Sequence, residues 1–193
     1  MAKYILFDGK STEQFLSRDG TPAKWKILED GSFTPDNGGD IYSKIKYKDA
    51  HIHVEWMEPD MPVDDRQARG NSGVYIHGCY ELQVLDSYGF GDLQANDCGS
   101  IYTLYAPRVN ACKPPLEWQS YDIYFRAPRY DEDGKMTEAA RATILQNGQV
   151  IQNNIILYTS TPGGVNEVSE EGPLMLQDHW CPVRFRNIWI ETL

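Results

Sequence analysis

The chain has 193 residues, of which 41% are hydrophobic and 12% aromatic, and its formal net charge is −10. That length suits a single domain, residues 1–193, with a sizeable core. Plentiful Gly and Pro with few helix-forming runs favour an all-β protein rich in turns. The acidic balance, without a basic stripe, argues against nucleic acid and anionic lipid as partners.

Strand-like alternation recurs along the chain, with turn signals between the segments. The predicted strands cover residues 3–7, 24–28, 40–45, 51–57, 100–105, 119–126, 142–146, 150–156, 172–177 and 183–190, besides the segment 71–89 treated below. A short helical turn is predicted at 13–16, and Asn147-Gly148 predicts a tight hairpin. Many short strands without a repeat or linker predict two antiparallel sheets packed face to face.

The sequence contains no apolar run of membrane-spanning length and no segment with the form of a signal peptide. The expected location is therefore cytoplasmic, or periplasmic or secreted if a leader has been removed. Cys98 and Cys112 bracket a segment that could close as a hairpin, so a disulfide between them is one interpretation. The other is that they are small buried hydrophobic residues.

The segment from Asn71 to Gly89 is the most informative part of the chain. Its apolar and polar side chains alternate, with Val74, Ile76, Tyr80, Leu82 and Val84 on even positions and Tyr75, His77, Glu81 and Gln83 on odd positions. Successive side chains of a strand point to opposite faces, so one face is apolar and the other is polar and ionisable. A phenol, an imidazole, a carboxylate and an amide are groups that bind sugars and move protons.

The dipeptide Gly78-Cys79 leaves the register of this segment open. A continuous strand, or a three-residue loop of residues 78–80, keeps His77 and Glu81 on one face. A two-residue turn would instead place Glu81 on the face of Ile76. We favour the first interpretation because it buries no carboxylate among aliphatic side chains.

Further candidates lie outside this alternation. Asp86 has the wrong parity to join the polar face, unless a β-bulge just before it re-aims its side chain. Near the end of the chain, Gln177 and His179 alternate with apolar residues and could reach the same face. The segments 57–68 and 88–97 are predicted to be irregular loops that rim a cleft.

The chain resembles the 3-keto-disaccharide hydrolase family in segments spread, in order, from its first strand to its last. They are Leu6-Phe-Asp-Gly-Lys-Ser, Glu55-Trp56, Asn71-Ser-Gly-Val-Tyr, Tyr80-Glu-Leu-Gln-Val-Leu-Asp-Ser-Tyr, Trp118-Gln-Ser-Tyr-Asp, Leu145-Gln-Asn-Gly and Gln177-Asp-His with Val183-Arg-Phe-Arg-Asn-Ile-Trp-Ile. The resemblance implies a concanavalin A-like jelly-roll sandwich whose concave sheet carries the site. Many members are exported, which favours a leader that has been removed.

The resemblance also implies cleavage of 3-keto-disaccharides or 3-keto-glycosides by β-elimination and hydration. Glu81, His179 and His77 are the expected proton-handling groups, and a divalent cation could polarise the ketone. The expected substrate contacts are Asn71, Tyr75, Gln83, Asp86, Trp118, Gln177 and Trp180, the tryptophans offering a flat face to a sugar ring. The substrate implies a sugar 3-dehydrogenase acting upstream.

A second resemblance limits the mechanism. Glu81-Leu-Gln83-Val-Leu-Asp86 is similar to the Glu-x-Asp-x-x-Glu signature of laminarinase-type β-glucanases, but the middle acid is replaced by an amide. An ordinary retaining mechanism therefore lacks its pattern. The alternatives to the hydrolase are a lyase that stops at the unsaturated sugar, a non-catalytic carbohydrate-binding module on the same face, and a protein-interaction domain.

Overall fold

A computed structural model describes residues 2–165 and 167–193. This part of the chain contains fifteen β-strands and one short 3-10 helix, and every strand pairing between them is antiparallel. The strands are β1 (Lys3–Phe7), β2 (Phe15–Ser17), β3 (Lys26–Ile27), β4 (Phe33–Thr34), β5 (Ile41–Tyr47), β6 (Ala50–Met57), β7 (Ser72–Ile76), β8 (Tyr80–Val84), β9 (Gln119–Arg126), β10 (Arg129–Tyr130), β11 (Met136–Glu138), β12 (Ala140–Gln146), β13 (Gln149–Leu157), β14 (Gly172–Leu176) and β15 (Arg184–Thr192); the 3-10 helix covers Arg66–Ala68.

Two large sheets form the body of the molecule. The eight-stranded sheet has the order β13-β12-β9-β6-β15-β4-β3, with β1 also paired to β15, and the five-stranded sheet has the order β2-β5-β14-β7-β8. A small sheet of β10 and β11 lies apart from them. The predicted two-sheet antiparallel sandwich is confirmed.

The core lies between the two large sheets and follows the period-two pattern of the strands. Along β6, Ile52, Val54 and Trp56 are fully buried, whereas the residues between them are only half-buried. The Trp56 ring packs against Tyr121 of β9, with 4.0 Å between the ring centroids. Burying each such side chain stabilises the fold by roughly 1.5–3 kcal/mol relative to leaving it exposed.

The hairpin predicted at Asn147-Gly148 is confirmed. Gln146 and Gln149 pair directly across the turn, and the two turn residues have φ of 51° and 80°. A two-residue turn with both central residues at positive φ matches the twist of the flanking strands, and Asn-Gly adopts it with the least strain.

Two local predictions are wrong. Residues 13–16, predicted as a helical turn, make a turn that leads directly into β2. Residues 100–105, predicted as a strand, form isolated bridges at Ile101 and a turn around Thr103, whose φ is 65°. Apolar alternation alone does not reveal such a turn, because it depends on the backbone at one residue.

All four cysteines are free thiols, so the interpretation of Cys98 and Cys112 as a disulfide is wrong. The alternative, a small buried residue, holds for Cys98, whereas Cys112 is half-buried. The amide nitrogen of Gln146 donates to both sulfur atoms, at 3.5 Å for Cys98 and 3.3 Å for Cys112. In the residues that the structure describes, no helix is long and apolar enough to cross a membrane.

Candidate active site

The polar face predicted in the 71–89 segment is formed by the β7–β8 hairpin of the five-stranded sheet. Tyr75 pairs directly with Glu81, and Gly73 pairs with Gln83. These side chains therefore share the outer face, while Val74 and Leu82 point into the core. The prediction that Tyr75, Glu81 and Gln83 lie on one face is confirmed.

The turn of this hairpin is shifted by one residue from the favoured interpretation, and this moves His77. The loop consists of residues 77–79, so Ile76 pairs with Tyr80 and His77 takes a φ of 53°. The imidazole is buried edge-on against Tyr47 and Phe125, with its Nε2 3.3 Å from the carbonyl oxygen of Lys48. The prediction that His77 shares the face of Glu81 is wrong.

Glu81 is a buried carboxyl group on this face, with a side chain that is 4% exposed. Its backbone N–H donates to the hydroxyl of Thr161 at 2.8 Å, which ties β8 to the loop following β13. Burial raises the pKa of Glu81 to about 7; the neighbouring Tyr75 hydroxyl lowers it, and the negative charge of Asp40 raises it further. The group can therefore exchange a proton near neutral pH.

Gly73 provides the space that Glu81 occupies. A Cβ at this position would lie 2.7 Å from Oε1 of Glu81 and 2.8 Å from the ring of Tyr75. Both distances are far below van der Waals contact, so a larger residue in β7 would displace the carboxyl group. The glycine is required here for close approach of a side chain.

Tyr75 is fixed between two neighbouring elements. Its hydroxyl donates to the carbonyl oxygen of Pro162 at 3.2 Å and accepts from the side-chain nitrogen of Gln177 at 3.1 Å. Gln177 continues β14 and lies next to Gly73, to whose carbonyl oxygen its backbone N–H donates. Burial raises the pKa of Tyr75 well above its ordinary value, so this phenol stays protonated.

The side-chain amide of Gln83 is oriented by hydrogen bonds to the 3-10 helix and to the loop after β8. Its Nε2 donates to Oε1 of Gln67 at 3.4 Å and to the carbonyl oxygen of Asn96 at 3.3 Å. Oε1 of Gln83 and Oε1 of Gln177 are both buried without a hydrogen-bond partner among the described residues. Two acceptors at the wall of one cavity are suited to hydroxyl donors of a ligand.

Three residues of the site lie in irregular segments and were not predicted from the sequence. Tyr102 lies in an irregular segment that runs along the free edge of β8. The backbone N–H of Tyr102 donates to the carbonyl oxygen of Glu81 there. Pro162 and Gly163 lie over Tyr75, so closely that a Cβ on Gly163 would collide with the Tyr75 hydroxyl. The run Thr161-Pro-Gly-Gly signals a turn in the sequence, but not that this turn reaches the site.

His179 completes the wall on the side of β14. The preceding residue, Asp178, bonds through its N–H to Oδ1 of Asp40 at 2.9 Å, which holds this stretch against the start of β5. Burial raises the pKa of Asp40, and the charge of Asp178 raises it further, although the Asp178 N–H and the nearby Arg18 and His179 side chains lower it.

Together these residues enclose a cavity of about 170 Å³. It is lined by Asn71, Tyr75, Glu81, Gln83, Tyr102, Pro162, Gly163, Gln177 and His179. Six of these nine residues are among the ten predicted from the sequence. The lining combines a titratable carboxyl, an imidazole, two phenols and three amides, a set that can bind a sugar and transfer protons.

Three other predicted residues do not line this cavity. Asp86 follows the end of β8 and accepts from the guanidinium of Arg69 at 2.6 Å, because no bulge turns it to the site. Trp118 precedes β9 in the other large sheet, where Arg186 lies 3.9 Å above its ring. Trp180 follows His179, with 5.4 Å between the two ring centroids, but it does not line this cavity and is 81% exposed.

The divalent cation expected from the sequence stays a prediction. Within the described residues, no three His, Cys, Asp or Glu side chains are arranged to hold a metal ion. The cavity itself offers one carboxyl and one imidazole, Glu81 and His179. This donor set does not fit a resident metal, and no step of the mechanism below passes through one.

Known proteins resemble this chain over almost its whole length. A crystal structure of a candidate glycosyl hydrolase from Parabacteroides distasonis is 39% identical, with a TM-score of 0.90, and the match covers 99% of this chain and 84% of that one. A 3-keto-disaccharide hydrolase from Bacteroides thetaiotaomicron is 24% identical over 226 aligned positions, covering 97% of this chain and 77% of the relative.

Another solved structure shares the fold alone. The carbohydrate-binding module CBM66 from Bacillus subtilis is 14% identical, with a TM-score of 0.50, over 88% of this chain and 92% of that one. The sequence profile of the 3-keto-alpha-glucoside-1,2-lyase-like domain matches residues 4–191. Because this match spans nearly the entire β-sandwich, including every residue of the cavity, the chain belongs to the 3-keto-alpha-glucoside-1,2-lyase-like domain family.

Proposed function

We propose that the protein cleaves the glycosidic bond of 3-keto-disaccharides or related 3-keto-glycosides by β-elimination and hydration. The observation that carries this proposal is the buried Glu81 carboxyl, whose pKa is raised to about 7 at the wall of a polar cavity. A general base acts best when its pKa lies near the working pH. The name of the Bacteroides relative supports the same substrate class.

The carboxyl count separates this chemistry from that of an ordinary glycosidase. Retaining and inverting enzymes place two carboxyl groups on either side of the scissile bond. Among the described residues that line the cavity, Glu81 is the one carboxyl side chain, and the position two residues later is the amide Gln83. A 3-keto sugar requires no second carboxyl, because the ketone acidifies the hydrogen on C2.

The first step is removal of that hydrogen. The Glu81 carboxylate takes the proton from C2, and the electron pair left behind forms an enolate with the C3 oxygen. Tyr102 is the wall residue suited to donate a hydrogen bond to this developing charge, because the Tyr75 hydroxyl already donates to Pro162. A donor placed at such an oxygen lowers the barrier by stabilising the enolate.

The second step breaks the bond between C1 and the leaving oxygen. The enolate collapses to the ketone, a double bond forms between C1 and C2, and the leaving oxygen receives a proton from His179. Water then adds to C1 and gives its proton to His179, while Glu81, after exchange with solvent, returns a proton to C2, so the net reaction is hydrolysis. Gln83 and Gln177 orient the ring by accepting hydrogen bonds from its hydroxyls through their unpartnered Oε1 atoms.

A non-catalytic carbohydrate-binding module is the competing function from another class. Such a module needs aromatic and amide contacts, and a carboxyl group in it would be exposed with an ordinary pKa. The burial of Glu81 and the fixed neighbours on each side of it favour the enzyme. The substrate further implies that a reaction oxidising the C3 hydroxyl of a glycoside supplies it.

The deciding experiment measures release of reducing sugar from 3-keto-trehalose and 3-keto-lactose, with the unoxidised disaccharides as controls. Wild type and Glu81→Gln are compared with Glu13→Gln, which changes an exposed glutamate of the same type. We expect turnover of the keto sugars alone, reduced about 10²–10⁴-fold by Glu81→Gln and unchanged by Glu13→Gln. Binding of the intact sugars without turnover would instead support the function of a non-catalytic carbohydrate-binding module.

Isotope labelling tests the elimination step itself. In D₂O, elimination and hydration place deuterium at C2 of the released keto sugar, whereas direct displacement at C1 retains the original hydrogen. Enzyme-free and Glu81→Gln samples correct for spontaneous exchange beside the ketone. The same assay after EDTA treatment tests the predicted cation: retained activity is expected from the donor set, and lost activity restored by a divalent ion would establish a metal requirement.

A further inference from the structure

A second concavity of about 190 Å³ is lined by the chain neighbours of His179, a residue of the active-site cavity. It is lined by residues 35–37 on one side and by Asp178 and residues 180–182 on the other. His179 lines the first cavity, and its two chain neighbours line the second. The two cavities are similar in volume, and one residue separates them along the chain.

The wall between the two cavities is held in place by hydrogen bonds to Asp178. Its Oδ1 accepts from the N–H of Trp180 at 3.0 Å, and its Oδ2 accepts from the N–H of Gly39 at 3.0 Å. One carboxylate thus ties the backbone of Trp180 to that of Gly39, two residues beyond the 35–37 side of the concavity. The N–H of Asp178 is in turn bonded to Asp40, so the whole wall is anchored to β5.

Trp180 lies at this wall with little packing against the rest of the protein. Its side chain is 81% exposed and its backbone has a φ of 56°, a left-handed conformation that non-glycine residues rarely adopt. A large exposed aromatic residue in a strained conformation gains little for the fold. The flat apolar face of an indole fits the C–H face of a pyranose ring.

We propose that this concavity is the subsite for the leaving-group sugar of a disaccharide, with Trp180 stacking on that ring. The inference rests on the proposed function, and it places the keto ring in the cavity of Glu81. The scissile oxygen, which joins the two rings, then lies at His179, the residue that separates the cavities and that must protonate this oxygen. A substrate with two rings fills both cavities, whereas a methyl glycoside fills the first alone.

The test compares 3-keto-trehalose with the 3-keto derivative of methyl α-glucoside on wild type, Trp180→Ala and Trp180→Phe. Tyr4→Ala, which removes an exposed aromatic residue from β1 of the opposite sheet, is the matched control. We expect Trp180→Ala to raise KM about fivefold to tenfold more for the disaccharide than for the methyl glycoside. Trp180→Phe is expected to restore most of the difference, and Tyr4→Ala to change neither substrate.

Inhibition by free glucose, the sugar released from 3-keto-trehalose, provides a readout that is independent of turnover of a two-ring substrate. With the methyl glycoside as substrate, Trp180→Ala should raise the inhibition constant of glucose by a similar factor. Equal effects of Trp180→Ala on both substrates, or an unchanged inhibition constant, would overturn the subsite while leaving the proposed function intact. Failure of wild type to turn over either keto substrate would overturn the proposed function, and the subsite with it.

Discussion

At the scale of single residues, the groups that can bind a ligand are those whose hydrogen bonds are not already used by neighbouring residues. Tyr75 is fixed by one acceptor and one donor, and the nitrogen of Gln83 is used by Gln67 and Asn96. What remains for a ligand is the amide oxygens of Gln83 and Gln177, the Tyr102 hydroxyl, the imidazole and Glu81. The carboxyl is thus the group at this wall that is set up to exchange a proton.

The pH dependence of the reaction follows from the raised pKa of Glu81. A base must be deprotonated, and it acts in the step that precedes protonation of the leaving oxygen by His179. If removal of the C2 hydrogen limits the rate, kcat/KM should therefore rise about tenfold per pH unit below pH 7 and level off above it. The midpoint is expected near 7, because burial raises the pKa of Glu81 to about 7. The measurement is kcat/KM from pH 5 to 9 with a 3-keto-glycoside, and a midpoint near 4.5 would show that another group is the base.

The same residues show what the sequence can and cannot predict about a site. Tyr75, Glu81 and Gln83 could be predicted because parity alone fixes the face of a strand residue. His77 could not, since its direction depends on which residues form the turn, and a shift of one residue reverses it. Tyr102 and Gly163 lie in irregular chain, whose path is set by tertiary contacts that leave no periodic pattern.

At the scale of elements, the β7–β8 hairpin combines a catalytic side chain with a glycine that makes room for it. In Gly73→Ala, the new methyl group would overlap Oε1 of Glu81 and the ring of Tyr75. Since the carboxyl end is the movable partner, we expect it to shift, with a loss in kcat of about 10²-fold. The Tyr75 ring is held on both sides, so its overlap with the new methyl group should also lower the free energy of unfolding by about 1–3 kcal/mol, which thermal unfolding measures.

A matched glycine substitution serves as the control. Gly91→Ala places a methyl group where no atom lies within 4 Å, in a segment with an ordinary backbone. It should leave both kcat and the unfolding temperature unchanged. If Gly73→Ala retained full activity, Glu81 would not need its observed position, and its assignment as the base would be wrong.

The β12–β13 hairpin allows a prediction about stability that does not involve the site. Gly148 has a φ of 80° and open space around its Cβ position, so a side chain there would introduce backbone strain without a clash. Gly148→Ala should destabilise the protein by about 1–2 kcal/mol, lowering Tm by roughly 2–4 °C per kcal/mol. Calorimetry measures this, kcat should stay unchanged, and an unaltered Tm would contradict the strained-turn argument.

At the scale of the whole molecule, the sandwich could be predicted because strand alternation, turn residues and composition all agree. The prediction for β9 matches its observed bounds, Gln119–Arg126, because its side chains alternate between the core and the outer face along its whole length. The edge of β8 could not be predicted, because residues 99–102 bond to it without forming a regular strand. That irregular edge brings Tyr102 to the site, so the unpredicted part of the fold is also part of the active site.

The buried carboxyl also links the active site to global stability. The pKa of Glu81 is about 7 when folded and near its ordinary value of 4.5 when unfolded. Between these values the folded state binds the extra proton, so this group stabilises the fold fully below pH 4.5. The contribution is lost as pH rises to 7, at about 1.4 kcal/mol per pH unit.

The variant Glu81→Gln isolates this contribution, because glutamine stays neutral at every pH. The free energy of unfolding of the variant, minus that of wild type, should increase steadily from pH 5 to pH 7 and then become constant. Taking the difference removes the opposing effect of His77, whose pKa is lowered by burial. Urea unfolding at each pH provides the measurement, with Glu13→Gln as the control. A difference that does not vary with pH would mean that Glu81 is ionised in the folded protein, and the base would then have to act without a raised pKa.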